Sequence, residues 1–184
     1  MDSNTHSEGR PTEQPAERQV GRSDELAALA ADVEGLAAQD LDRLTDAALA
    51  DQVAQLRRLG DRLEGQWLRR LATVDARGAA GAELDQPAAS TASWLRGQLR
   101  MGAAAASRSV RTARALFRGP LAQTAQALTG GAISPAHAAV LAAGTQELPD
   151  QVTVAAEPVL LETAARLDPP WLRRANSVRA SAWR

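Results

Sequence analysis

Six arginines, Arg96, Arg100, Arg108, Arg111, Arg114 and Arg118, stand in a stretch from Gln86 to Gln146 that contains no Asp and no Glu. A guanidinium is always charged and presents a planar fork of donors that matches phosphate oxygens. The chemistry open to such a run is anion recognition, with nucleic acid the commonest partner. The 85 residues before it carry 17 acids against 10 arginines, so a chain of net charge -1 is polarised along its length. At 100° per residue, Arg108, Arg111, Arg114 and Arg118 fall within an arc of about 120° on one helix. Ala103, Ala106, Val110, Ala113 and Phe117 fall on the adjoining side. Two uses of that basic stripe are open. It contacts phosphates, giving salt-dependent binding, or it is an internal or solvated counter-charge to acids of the preceding helices such as Asp32, Glu34, Asp61 and Glu64.

No other residues combine into a reactive constellation. The chain has two histidines, His6 and His137, and no cysteine, which excludes disulfides and thiolate zinc sites. His137 has no carboxylate near it in sequence and reads as a hydrogen-bonding residue at a helix start. Gly130-Gly131 is not a phosphate loop, because no strand precedes it and no Lys-Ser/Thr follows. Asp75 and Arg77 read as a local pair or cap at a helix end. Trp67, Trp94 and Trp171 read as core anchors, and Trp183 as an exposed residue of the C-terminal tail. Catalytic residues, metal ligands, a cofactor and a small-molecule substrate are therefore not expected.

The elements that must position the arginines are helices. All 21 basic residues are arginine, alanine and leucine abound, and aromatic residues make up 3%, a composition that favours helix over strand. Residues 1–22 read as a disordered tail. Ser23 caps a first helix with Leu26, Leu29, Val33 and Leu36 at helical spacing. Thr45 caps a long second helix with Leu49, Val53, Leu56, Leu59, Leu63, Trp67, Leu71 and Val74 on its stripe, stopped by Gly78. A stripe of that length calls for an antiparallel partner or a second copy of the chain. After a loop over 78–89, a short helix opens at Ser90 or Thr91. Met101-Gly102 separates it from the arginine helix, Ala103 to Phe117. A helix-turn-helix register with Gly102 at the turn would put Arg108 in a slot that should be buried, so the fit to that motif is loose. Pro120 and Ser134-Pro135 start two further helices. A last helix carries Pro158 as a kink or as its true start, and Asp168-Pro169-Pro170 ends it. Residues 176–184 read as an irregular tail. The expectation is an all-α domain over 23–175, five to seven helices with one long one. No run is long and apolar enough for a membrane span, and the polar N-terminus carries no secretory signal, which makes cytoplasmic the expected location.

Val74-Asp75-Ala76-Arg77-Gly78, Ser93-Trp94-Leu95, Arg100-Met101, Ala113-Arg114-Ala115-Leu116, the run Ala127-Leu128-Thr129-Gly130-Gly131-Ala132-Ile133-Ser134 with His137, and the segment from Leu160 to Pro169 occur in an order and spacing that resembles the helical domain of unknown function 222. That domain precedes an HNH endonuclease module in many actinobacterial proteins. The resemblance covers roughly 23–175. It implies an all-helical, non-catalytic module associated with DNA. It departs where an HNH site would need several histidines with Asn or Asp around a metal, which two histidines cannot supply. A truncated or split nuclease, or a stand-alone half, is the expectation on that side. The other reading is a structural module that self-associates through its long helix.

Overall fold

The computed structural model describes residues 15–82 and 90–182, with side chains over 24–81 and 90–175. Among these residues it is all-α: nine α-helices and one 3-10 turn. The chain divides into two compact units, Met1–Ala50 and Asp51–Arg184.

The first unit contains α1 (Pro15–Ala37) and the 3-10 turn Leu41–Arg43. Asp40 caps that turn by accepting from the Asp42 N–H. α1 begins well ahead of Ser23, so the expected tail is helical from Pro15. Proline suits a first helical turn, and Ala16 to Val20 contain no helix breaker. The rest of that expected tail lies outside the described residues. Leu26, Leu29, Val33 and Leu36 of α1 are all exposed. α2 (Asp46–Arg77) starts in this unit, where the Thr45 hydroxyl accepts from the Ala48 N–H as its cap.

The second unit holds the core. Its helices are the remainder of α2, α3 (Ala79–Ala82), α4 (Thr91–Leu99), α5 (Ala103–Phe117), α6 (Ala122–Gly130), α7 (Pro135–Gly144), α8 (Asp150–Ala164) and α9 (Pro169–Ala182). α5 packs against α4, α6 and α7, and α7 against α9. Ala106, Val110, Ala113 and Leu116 of α5 meet Leu95, Leu121, Leu128, Leu141 and Leu172 in one cluster. α2 joins the core only through its C-terminal half, where Gly65, Leu68, Leu71 and Ala72 are buried. A Cβ on Gly65 would lie 3.2 Å from Leu128 Cγ and 3.4 Å from Thr129 Cα, so glycine there sets how closely α2 approaches α6.

Most boundaries follow the expected caps. The Ser90 hydroxyl accepts from the Ser93 N–H to open α4. Ser134 and His137 form a reciprocal capping box with Pro135 at the first position of α7, and Gly131 closes α6 at φ +79. Other details differ or choose between the expected alternatives. α3 occupies part of the expected loop. Pro120 stands just ahead of α6 rather than at its first position, because Leu121 is the N-cap. Pro158 lies inside α8, which starts at Asp150. Asp168-Pro169-Pro170 both ends one helix and starts another: the Asp168 carboxylate accepts from the Trp171 N–H, and the prolines sit in the first turn of α9, where no N–H is needed. α9 runs to Ala182, so the expected irregular tail is helical that far. Residues 171–182 contain neither glycine nor proline to stop a helix.

α6 begins on Leu121, which has no capping side chain. Glu157 of α8, 1% exposed, supplies the acceptor: its Oε1 takes the Thr124 N–H at 2.6 Å. A carboxylate at a helix N-terminus also meets the positive end of the helix dipole.

Gly65→Leu should destabilise the protein by about 1–3 kcal/mol, because the new side chain must enter a filled contact between α2 and α6. Gly97, with nothing within 4 Å of its Cβ position, provides the control. Gly97→Leu should leave the urea midpoint unchanged or raise it slightly.

Candidate nucleic-acid interface

All six arginines of the acid-free stretch lie at the surface. Arg96 lies in the last turn of α4. Arg100 is its C-cap at φ 53, the only non-glycine residue with a left-handed backbone among the described residues. Arg100 thus makes the tight α4–α5 corner, and Gly102, the residue expected at the turn of a helix-turn-helix, instead takes the extended N-cap position of α5. Arg108, Arg111 and Arg114 rise along α5, and Arg118 is its C-cap. The opposite side of α5, with Ala106, Val110, Ala113 and Leu116, is buried. The outer stripe cannot turn inward without expelling that face.

One of the six is paired. Arg114 donates through Nε to Asp75 Oδ2 at 2.5 Å and through a terminal nitrogen to Asp75 Oδ1 at 2.8 Å. The Thr91 hydroxyl donates to the same Oδ1 at 2.7 Å. The Arg114 hydrogen bond, assisted by Thr91 and by the guanidinium charge against some opposing burial, holds the Asp75 carboxyl below the usual aspartate range. The same bond raises the Arg114 pKa, so it stays charged. Asp75 is therefore not in a local pair with Arg77, as its place at a helix end suggested, but bonded across 39 residues. Among the described residues, Arg96, Arg100, Arg108, Arg111 and Arg118 make no ion pair. Of the acids considered as counter-charge, Asp61 and Glu64 of the second unit make no ion pair with this stripe. Asp61, mostly buried, bonds to Arg57 one turn away on α2. Burial raises the pKa of Glu64. Asp32 and Glu34 are exposed on α1.

Two shallow clefts flank Arg114. One, about 450 Å³, is lined by Asp75, Ala76, Arg114, Ala115, Arg118 and Gly119. The other, about 230 Å³, runs from Arg111 and Pro120 to Thr145, Gln146 and Asp150. Polyanion contact at either would be along an open surface rather than in an enclosed pocket.

The remaining candidates have structural roles. His137 Nδ1 lies 2.8 Å from the Ser134 hydroxyl, and Nε2 lies 2.9 Å from the Leu167 carbonyl oxygen, so both ring nitrogens are engaged. Trp67 and Trp94 pack against the core. Trp171 does not: it is 58% exposed, with the Arg174 guanidinium 5.0 Å from its ring centroid. Its neighbour Leu172 takes the fully buried position instead, one residue further round the helix than the tryptophan was expected to point. Trp183 lies outside the described residues. Among the described residues no group of three or more His, Cys, Asp and Glu could hold a metal ion, and no helix is long and apolar enough to cross a membrane.

The Asp75–Arg114 bond and the Ser134–His137 box both fall on the motifs that carry the resemblance, and the family comparison agrees with them. The model of the domain of unknown function DUF222 matches residues 46–181. This chain belongs to the DUF222 family. The match starts at the first residue of α2 and ends within the last turn of α9, so it takes in the whole arginine face and leaves α1 outside. Comparison with curated proteins and with solved structures gives no match. DUF222 membership shows an all-helical domain and does not by itself assign it an activity.

Asp75→Asn should cost about 1–2 kcal/mol at pH 7, a charge-assisted hydrogen bond discounted because Arg114 is mostly exposed. The sign with pH is fixed by the lowered folded pKa. The contribution is complete above the unfolded value near ~3.9 and is lost as pH falls through the folded one. Urea titrations of both proteins should therefore differ at pH 7 and draw together as the pH falls below the ordinary aspartate range.

Proposed function

We propose that this DUF222 domain is a non-catalytic module that holds nucleic acid by its phosphates, using Arg96, Arg100, Arg108, Arg111 and Arg118, with Arg114 as a partly committed sixth. The observation that carries the reading is that five of these six surface arginines have no carboxylate partner among the described residues. An acidic front half of the chain was available to neutralise the face, and among the described residues of the second unit the observed ion pair to it is that of Asp75. Guanidinium groups on a short helix and its preceding corner suit backbone contact, which fixes position without reading sequence. The reading therefore expects weak sequence preference and strong dependence on salt.

No reaction is assigned to these residues. His137 is engaged at both nitrogens, and the acids near the clefts are either bonded to arginine, as Asp75 is, or stand at the rim, as Asp150 does. On this reading the resemblance to the helical part of HNH endonuclease-like proteins reflects a DNA-holding role beside a nuclease module, and the helical domain contributes affinity.

The test is a salt titration of binding to duplex and single-stranded DNA. Each phosphate neutralised by an arginine adds about 0.9 to the steepness of log K against log salt on duplex DNA. Arg108→Ala/Arg111→Ala/Arg118→Ala should reduce that steepness by about 2–3 and weaken binding to all sequences alike. Absence of binding at about 20 mM salt, on the order of a tenth of physiological ionic strength, would overturn the proposal. So would metal-dependent cleavage by the purified chain for its non-catalytic half.

A further inference from the structure

The smaller of the two clefts beside Arg114 has a lining that phosphates alone do not use. Its volume is about 230 Å³. That is below the roughly 300–1,000 Å³ of sites that take whole drug-sized ligands, so it suits a single ring system. All of its lining residues belong to the second unit. Ala115, Pro120, Ala142 and Leu148 supply the apolar part, from α5, the corner before α6, α7 and the turn into α8. Apolar side chains offer nothing to a phosphate. They suit a flat ring that carries its polar atoms on its edges.

The polar lining is divided between the two sides. On α5, Arg111 is exposed and has no ion pair among the described residues. Arg114 is 61% exposed, with Nε and one terminal nitrogen fixed on Asp75. A guanidinium held along one edge keeps a fixed plane, and such planes stack on unpaired bases. Opposite them stand Gln146, from the turn after α7, and Asp150, the first residue of α8. Asp150 is exposed and also has no ion pair among the described residues. Thr145 is committed elsewhere, because its hydroxyl donates to the Leu141 carbonyl oxygen at 3.0 Å. An ionised carboxylate only accepts hydrogen bonds, so the ligand edge that meets Asp150 must donate.

We infer that this cleft takes one unpaired base of single-stranded nucleic acid, a base that carries an exocyclic amino group. The base lies against the Arg114 guanidinium and the apolar lining. Its amino group donates to Asp150, and its own phosphate meets Arg111. Adenine, cytosine and guanine have such a group, whereas thymine and uracil do not. A duplex cannot fill the cleft, since its bases are stacked and paired. The inference rests on the reading of α5 as a phosphate-binding face, and adds to it the strand type and one base contact. It also gives Arg114 a part in binding, because stacking uses none of the donors spent on Asp75.

Binding of the full chain to strands of about twelve nucleotides tests it. Oligo-deoxycytidine, oligo-thymidine and a strand of abasic units of the same length carry the same number of phosphates. The cytidine strand should bind about fivefold or more tighter than the abasic one, and about threefold or more tighter than the thymidine one. The three salt slopes should be equal, because only phosphate contacts set them. Asp150→Asn offers an N–H to a carbonyl oxygen and should erase or reverse the preference for cytidine over thymidine. Arg114→Lys keeps the charge and loses the plane, and should remove most of the gain over the abasic strand with the salt slope kept. Equal binding of the cytidine and abasic strands on a salt-dependent curve would overturn this inference and leave the phosphate reading standing. A thymidine strand bound as tightly as the cytidine one, or a cytidine preference untouched by both variants, would overturn it in the same way. Failure of all three strands to bind at low salt would overturn both.

Discussion

Asp75 accepts from Thr91 at the start of α4 and from Arg114 on the outer face of α5, so one carboxylate ties the end of the long helix to the two helices that carry the arginines. Its side chain is 11% exposed, whereas that of Arg114 is 61% exposed. The bond therefore sits at the boundary between core and surface, with the acid on the inner side and the cation on the outer. That geometry locks the roll of α5 from outside while Ala106, Val110, Ala113 and Leu116 lock it from within. A helix held on two sides presents its third side in a fixed direction, and the third side here is arginine. On the proposed reading, using Arg114 in this way costs one phosphate donor. The gain is that its neighbours Arg111 and Arg118 stand on a helix that does not have to be ordered when a ligand arrives, and ordering of that kind is a large part of what binding must otherwise overcome.

The local signals in the sequence are legible because each has a local cause. Ser90, Ser134-Pro135 and Gly131 act on backbone groups within four residues, and all three bound helices as their chemistry requires. The burial of α5 follows from alanine, valine and leucine at helical spacing. The partner of Asp75 is not legible, since a carboxylate at a helix end is satisfied equally by a neighbour or by a residue 39 positions away, and only packing chooses. Glu157 escapes a sequence reading for the same reason. Its one signal is the absence of a capping side chain at Leu121, which leaves the amides of α6 in need of an acceptor without saying which helix provides it. Trp171 shows the opposite error. Size and apolarity point inward, but one step along a helix is 100° of rotation, and it is Leu172 that faces the core.

Polarity along the chain and polarity in space are different properties. Seventeen acids precede the arginine stretch, which is more than enough to neutralise it, yet within the second unit the acids of α2 other than Asp75 serve other ends. Asp61 holds Arg57, and Glu64 is drawn into burial that disfavours its charge. Neutralisation needs proximity within a few ångströms and an orientation, not a favourable count. A net charge of -1 therefore says nothing against a basic surface, because an anionic partner meets individual side chains and not the sum of the chain.

The long helix raises the complementary problem. A helix of 32 residues spans roughly 48 Å, more than one compact unit of this size can cover. Its C-terminal half is committed to the core through Gly65, whose missing side chain lets α6 come close. Gly60, one turn and a half earlier, has the same missing side chain and no neighbour at all. Two glycines in one helix both weaken it, and the second of them in chain order is explained by the contact it permits. Gly60 has no such contact to explain it, and neither has Gly97 in the interior of α4. A position without a Cβ therefore marks a packing contact only where a neighbour fills it, as Leu128 and Thr129 do at Gly65.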